Sequence, residues 1–192
     1  VFYALKAIKS GYTKKIDVGF INQYSFFCNA SLGTIAKIVH YYNRNPKRGL
    51  TAYTLAIAKA LFKKESPHTI KMKINEKETE LKPDIFFISN SNLIGYNLSL
   101  TPQASLDDGQ LHLLYTDKMT FIEKIIFIYS AVAKIALKTK KIHRVKFESL
   151  ELFGVPKENF SLQIDGESVL TKKKTLLINI KKKALRVITP KP

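Results

Sequence analysis

From residue 68 to the end of the chain, apolar side chains recur at every second position in short runs. Turn residues close each run after roughly ten positions, and a repeat of two is the signature of strands rather than helices. Residues 68–74 read HTIKMKI, with Ile70, Met72 and Ile74 on one face and Lys71 and Lys73 on the other. Asn75 and Glu76 turn the chain and residues 79–81 return it. Further strands are predicted at 84–89 (DIFFIS), 98–100, 110–116, 144–153, 160–164, 175–180 and 184–189, the last two joined as a hairpin through Lys181, Lys182 and Lys183. Ahead of them, residues 16–21 and 24–30 read as strands turning at Asn22 and Gln23. Helices are fewer. Residues 1–10 read as the end of one, stopped by Gly11. Residues 34–42 form a short one, 50–64 an amphipathic one and 121–138 another. Many short strands and few helices predict a mainly β fold with helical insertions, a sandwich or a barrel. The pattern does not point to a doubly wound sheet, because strand–helix alternation is missing.

The chain has 192 residues, enough for one domain with a substantial core or for two small ones. Its one cysteine, Cys28, excludes an internal disulfide and a cysteine-based zinc site. Cys28 lies in the apolar run 26–28 and is expected to be a buried, inert thiol. Against 15 acidic residues stand 32 lysines and arginines, a net charge of +17. Such a field attracts anionic lipid, nucleotide or nucleic acid. Arginine occurs only as Arg44, Arg48, Arg144 and Arg186. Sequence-specific readers of nucleic acid depend on arginine forks, so no specific nucleic acid is expected as partner. Residues 1–20 contain no apolar core of signal-peptide length. The most apolar stretch, 125–133, is too short to span a bilayer.

Three local patterns can carry chemistry. In LDDG, Asp107 and Asp108 stand side by side at the mouth of a strand; a turn needs only one aspartate. Adjacent carboxylates repel and are stable when solvated, metal-bound or paired with cations. In QIDGES, Asp165 and Gly166 give a hairpin signal and Glu167 follows at once. In FFCNASLG, Asn29, Ser31 and Gly33 precede a helix start, where either an anion or ordinary capping fits. The histidines, His40, His68, His112 and His143, have no metal-ligand spacing. His112 is expected to alternate out of its strand. No glycine-rich phosphate loop is present.

Taken in order, KKIDVGFIN, FFCNASLG, TPQASLDDGQL and LQIDGES resemble the second domain of the diacylglycerol kinase-like lipid kinases. That family includes bacterial diacylglycerol kinases and the sphingosine and ceramide kinases. The likeness runs from about Gly11 to Ile188. It implies the β-sandwich second domain of the NAD kinase/diacylglycerol kinase-like fold over 11–192, with residues 1–10 leaving a missing N-terminal nucleotide-binding domain. By the same resemblance the activity is ATP-dependent transfer of the γ-phosphate to a lipid hydroxyl, with ATP bound mainly by the missing domain and Mg2+ as cofactor. Asp165 and Glu167 would line the interdomain cleft as catalytic residues. Asp108, the carbonyl of Gln110 and nearby Asp107 would hold a magnesium ion that shapes the domain.

The chain departs from that pattern in keeping a single glycine, Gly95, in 92–97, and in having Ser105 where some relatives carry an acid. The charge fits a peripheral protein on the anionic inner membrane surface of the cytoplasm, with membrane lysines expected at Lys134, Lys138, Lys140, Lys141, 172–174 and 181–183. Homodimerisation is compatible with such a domain. The isolated chain is expected to be inactive. Two other readings stand beside this one: a non-catalytic basic module for anionic lipid or nucleic acid, and an NAD kinase-like enzyme.

Overall fold

A computed structural model describes residues 2–62, 68–94, 98–133, 135, 137, 139–155, 161–171 and 173–190. In chain order the elements are α1 (Phe2–Ser10), β1 (Thr13–Ile21), β2 (Tyr24–Phe26), β3 (Asn29–Gly33), α2 (Thr34–Asn43), α3 (Leu50–Phe62), β4 (Ile70–Ile74), β5 (Lys77–Leu81), β6 (Ile85–Ser89), β7 (Leu111–Thr116), α4 (Phe121–Ala133), β8 (Ile142–Phe147), β9 (Ser149–Phe153), β10 (Ser161–Ile164), β11 (Glu167–Leu170) and β12 (Thr175–Ile188). Two six-stranded antiparallel sheets result, ordered β2-β1-β12-β9-β4-β5 and β11-β10-β3-β6-β7-β8.

Strand alternation explains the layers. One face of each sheet supplies the main core: Leu150, Leu152, Leu176 and Ile178 from the first meet Phe86, Ile88, Leu111 and Leu113 from the second. The second sheet buries its other face as well. Ile85, Phe87 and Leu114 lie under Phe127 and Ala131 of α4. This double burial accounts for the unbroken apolar run of β6, all five of whose residues are buried. A third cluster joins α2 to α3 through Ile38, Ala56 and Ala60. The mainly β sandwich with helical insertions is therefore the observed fold. No helix among the described residues is long and apolar enough to cross a membrane.

The structure changes the expected elements where the chain passes between sheets. The strand expected at 24–30 is two, β2 in the first sheet and β3 in the second. Likewise 144–153 divides at Glu148 into β8 and β9, again in opposite sheets. The hairpin expected at 181–183 is a bulge within the single strand β12. Ile16 pairs with Leu185 and Val18 with Lys181, so Asp17 alone faces Lys182, Lys183 and Ala184. Lys183 takes a left-handed φ of 52° there. Residues 98–100 form no strand. Helix α4 is described to Ala133, and residues 134, 136 and 138 of its expected extension, like 63 and 64 of the amphipathic helix expected at 50–64, lie outside the described residues. Cys28 is exposed rather than buried, because it sits in the crossover between β2 and β3. His112 is buried rather than outward-facing, since it lies on the helix-covered face of the second sheet.

Candidate active-site cleft and aspartate loop

The β10–β11 hairpin turns through Asp165 and Gly166, both at positive φ, 46° and 90°. Two left-handed residues in succession match the twist of the flanking strands. The Asp165 carboxylate does not stand free. Oδ2 accepts the N–H of Phe27 at 2.7 Å, and Oδ1 accepts those of Cys28 and Asn29 at 2.8 and 2.9 Å. The Asp165 N–H donates to the carbonyl of Asn29 at 2.9 Å. One carboxylate thus satisfies three amides that leave one sheet before entering the other. Although Cys28 is exposed, partial burial of its sulfur and then this charge push the thiol above its ordinary pKa.

Glu167 stands differently. It is exposed, and among the described residues it has no hydrogen-bond or salt-bridge partner. It pairs with Ile164 across the hairpin, while Gln163 pairs with Ser168, so Glu167 lies on the face opposite those two. On the Gln163 face a buried network runs from Ser31 Oγ to Gln163 Oε1 at 2.9 Å and from Gln163 Nε2 to Asn29 Oδ1 at 3.1 Å. Helix α2 ties down the turn: Asn43 Nδ2 donates to the Gly166 carbonyl at 3.1 Å, and His40 Nδ1 lies 3.3 Å from Ser168 Oγ.

Beside this turn two pockets adjoin, sharing Ile35, Tyr53 and Ile94 as walls and together making a cleft with two chemical ends. The polar end is lined by Asn29, Tyr42, Gln163 and Gly166, together with Val39. Ile35, Tyr53 and Ile94 line this end and also the next stretch. There the walls become apolar: Ile38, Ile57, Leu61, Leu98, Leu100, Phe127, Ile128 and Ala131 from the helices, loop and sheet. Lys124 also lines that stretch, with its ammonium held on Asp84 at 2.8 Å.

The aspartate pair lies elsewhere, and each member has its own partner. Asp107 accepts from Lys14 at 2.8 Å and from Ser105 at 2.6 Å, contacts that hold its carboxyl below the usual pKa, Lys14 first. Asp108 accepts the Gln110 N–H at 3.1 Å and meets His112 Nε2 at 2.8 Å. Among the described residues no three or more His, Cys, Asp or Glu side chains gather as metal ligands. With an ammonium on one carboxylate, and the Gln110 N–H and the His112 ring on the two oxygens of the other, the set does not fit a magnesium ion as it stands. The loop is anchored instead by Asp17, 1% exposed. Asp17 Oδ2 accepts from Gly109 N–H at 2.7 Å and Oδ1 from Lys183 N–H at 2.6 Å. Its N–H donates to Leu106 O at 2.7 Å, and its carbonyl accepts from Asn90 Nδ2 at 2.9 Å.

Sequence reasoning named Asp165, Glu167, Asp107, Asp108 and Gln110; the structure brings the first two into one turn and the other three into a separate loop. It missed Asp17, Gln163, His40 and Asn43. For Asp17 a signal existed: an aspartate amid Ile16, Val18 and Phe20. For His40 and Asn43 none did, because their partners lie more than 100 residues away.

The chain matches, over residues 29–189, the profile of the YegS C-terminal NAD kinase beta sandwich-like domain. No curated protein matches it. Among solved structures it is similar to a candidate diacylglycerol kinase from Bacillus anthracis str. Sterne, at 20% identity and a TM-score of 0.74, covering 97% of this chain and 60% of that one. A diacylglycerol kinase structure from the same organism gives 17% identity and a TM-score of 0.68, with 97% and 58% covered. At such identities the likeness is one of fold, and the chain spans about three fifths of those proteins. By the match over most of its length, this chain belongs to the YegS C-terminal NAD kinase beta sandwich-like domain family.

Proposed function

We propose that this chain is the C-terminal domain of an ATP-dependent lipid kinase that phosphorylates a hydroxyl of a diacylglycerol-like acceptor. The observation that carries this reading is the two-ended cleft. A polar end at Asn29, Gln163 and Gly166 continues through Ile35, Tyr53 and Ile94 into apolar walls. That sequence of surfaces complements an amphiphile, hydroxyl first and acyl chain behind. A dinucleotide has no apolar tail to fill the far end, which favours lipid over NAD.

In this reading Glu167, exposed and unpaired among the described residues on the face away from Gln163, is the base that receives the acceptor's hydroxyl proton at the outer edge of the hairpin, where the hydroxyl would emerge past Gly166 from the cleft. Asp165 positions it by fixing the turn on the 27–29 amides. Magnesium-ATP, bound mainly by protein outside this chain, supplies the phosphoryl group. His40 and Asn43 hold the turn from α2.

The test is phosphorylation by the protein as its cell makes it, with magnesium-ATP and a panel of diacylglycerol, sphingoid and ceramide acceptors, NAD, and no acceptor. Transfer to a long-chain alcohol, with none from the isolated 192 residues, is expected. Transfer to NAD alone, or to nothing while polyanions still bind, would replace this reading with one of the two alternatives.

A further inference from the structure

Helix α4 carries more apolar surface than the fold uses. Phe127 and Ala131 bury its inner face against the second sheet. On its outer face Ile122, Ile125, Ile126 and Tyr129 are exposed at 69, 48, 49 and 69%. Their spacing of three and four residues stacks them into one stripe over two turns. Single exposed apolar residues are ordinary, but a contiguous stripe marks a contact surface.

Charge decides what covers it. The helix has one acid, Glu123, neutralised by Lys141 at 2.7 Å. Lys118, three residues before the helix, and Lys140, next to Lys141, are exposed near its start without a carboxylate partner among the described residues, while the nearby Asp117 meets His143. A second copy would bring another +17 against the first. An anionic bilayer instead neutralises the rim while accepting the stripe. The other side of the same helix lines the apolar cleft through Phe127, Ile128 and Ala131, so a surface lying on lipid would border the acceptor's entrance. Among the described residues, lysines of the other clusters make their contacts elsewhere: Lys182 pairs with Glu148 and Lys173 with Gln23. Residues Lys134, Lys138 and Lys172 lie outside the described residues.

We propose that α4 lies in the interface of an anionic membrane, its Ile122–Ile125–Ile126–Tyr129 stripe inserted among the acyl chains. This extends the lipid-kinase reading, and its test does not use turnover. The chain has no tryptophan, so Tyr129→Trp puts an indole on the stripe; the signal of the parent protein, as its cell makes it, is subtracted. Vesicles of phosphatidylglycerol and phosphatidylcholine, some brominated in the acyl chains, are then added. The expected result is a shift of emission to shorter wavelength with quenching by the brominated lipid, and little change with phosphatidylcholine alone. Replacing Ile122 and Ile126 by serine should weaken partition roughly tenfold with an unchanged melting temperature. Emission that stays at the solvent position, whether or not the protein sediments with vesicles, overturns the proposal. So does emission already blue-shifted without vesicles, which would mean another segment or a second copy covers the stripe. Insertion without kinase activity would leave this proposal standing and remove the kinase one.

Discussion

Gly19 shows how one residue can be dictated by a neighbour across the sheet. It pairs with Phe26, and a Cβ placed on it would lie 2.2 Å from the Phe26 ring. That ring is fully buried. Gly19→Ala must displace it, at about 1–3 kcal/mol; an unchanged urea midpoint would contradict the packing. Asp17→Ala leaves the part-buried Gly109 and Lys183 amides without their acceptor, and about 1–3 kcal/mol should be lost in the same measurement. Asp17→Asn keeps one acceptor oxygen and should lose less. Both residues were visible in the sequence as exceptions inside a strand, a glycine and an aspartate among apolar neighbours. What they touch was not, because Phe26 lies across a turn and Lys183 lies 166 positions away. Asp165 was legible as a turn residue, and its three amide partners were not.

At the scale of elements, the period of the apolar pattern located the strands and left out where the chain changes sheets. Crossing between sheets needs a local acceptor or bulge, and such partners come from distant chain. At 27–29 the acceptor is Asp165. At Glu148 the carbonyl accepts from Ile180 N–H at 3.1 Å. Helix α4 starts on a reciprocal cap between Thr120 and Glu123: Thr120 N–H to Glu123 Oε2 at 2.7 Å and Glu123 N–H to Thr120 Oγ1 at 3.3 Å. Thr120→Ala should cost about 1 kcal/mol. Lys141, then the cap, holds the Glu123 carboxyl at about 2, down from 4.5. A lowered carboxylate pKa stabilises the folded state above the unfolded value and loses that effect as pH falls through the folded one. The difference in melting temperature between the native protein and Glu123→Gln should therefore be full at pH 7 and fade between about 4.5 and 2. A difference independent of pH across that window would exclude the charged pair as its source.

For the whole molecule, a mainly β fold followed from strand count and turn spacing, and the family resemblance chose the sandwich over the barrel. The cleft did not, since its continuity through Ile35, Tyr53 and Ile94 depends on how α2, α3 and the 90–94 loop settle on the second sheet. The aspartate pair illustrates the opposite case, a feature prominent in sequence whose carboxylates the fold has already paired with Lys14 and His112. Adding EDTA should accordingly leave the melting temperature unchanged, and a magnesium-dependent rise would return the loop to the list of metal sites. The central claim is that lipid phosphorylation uses Glu167 on a turn held by Asp165. Its most direct test is steady-state kinetics of Glu167→Gln in the protein as its cell makes it. A fall in kcat of roughly 10²–10⁴, with lipid KM and melting temperature unchanged, is predicted. Undiminished kcat would contradict it.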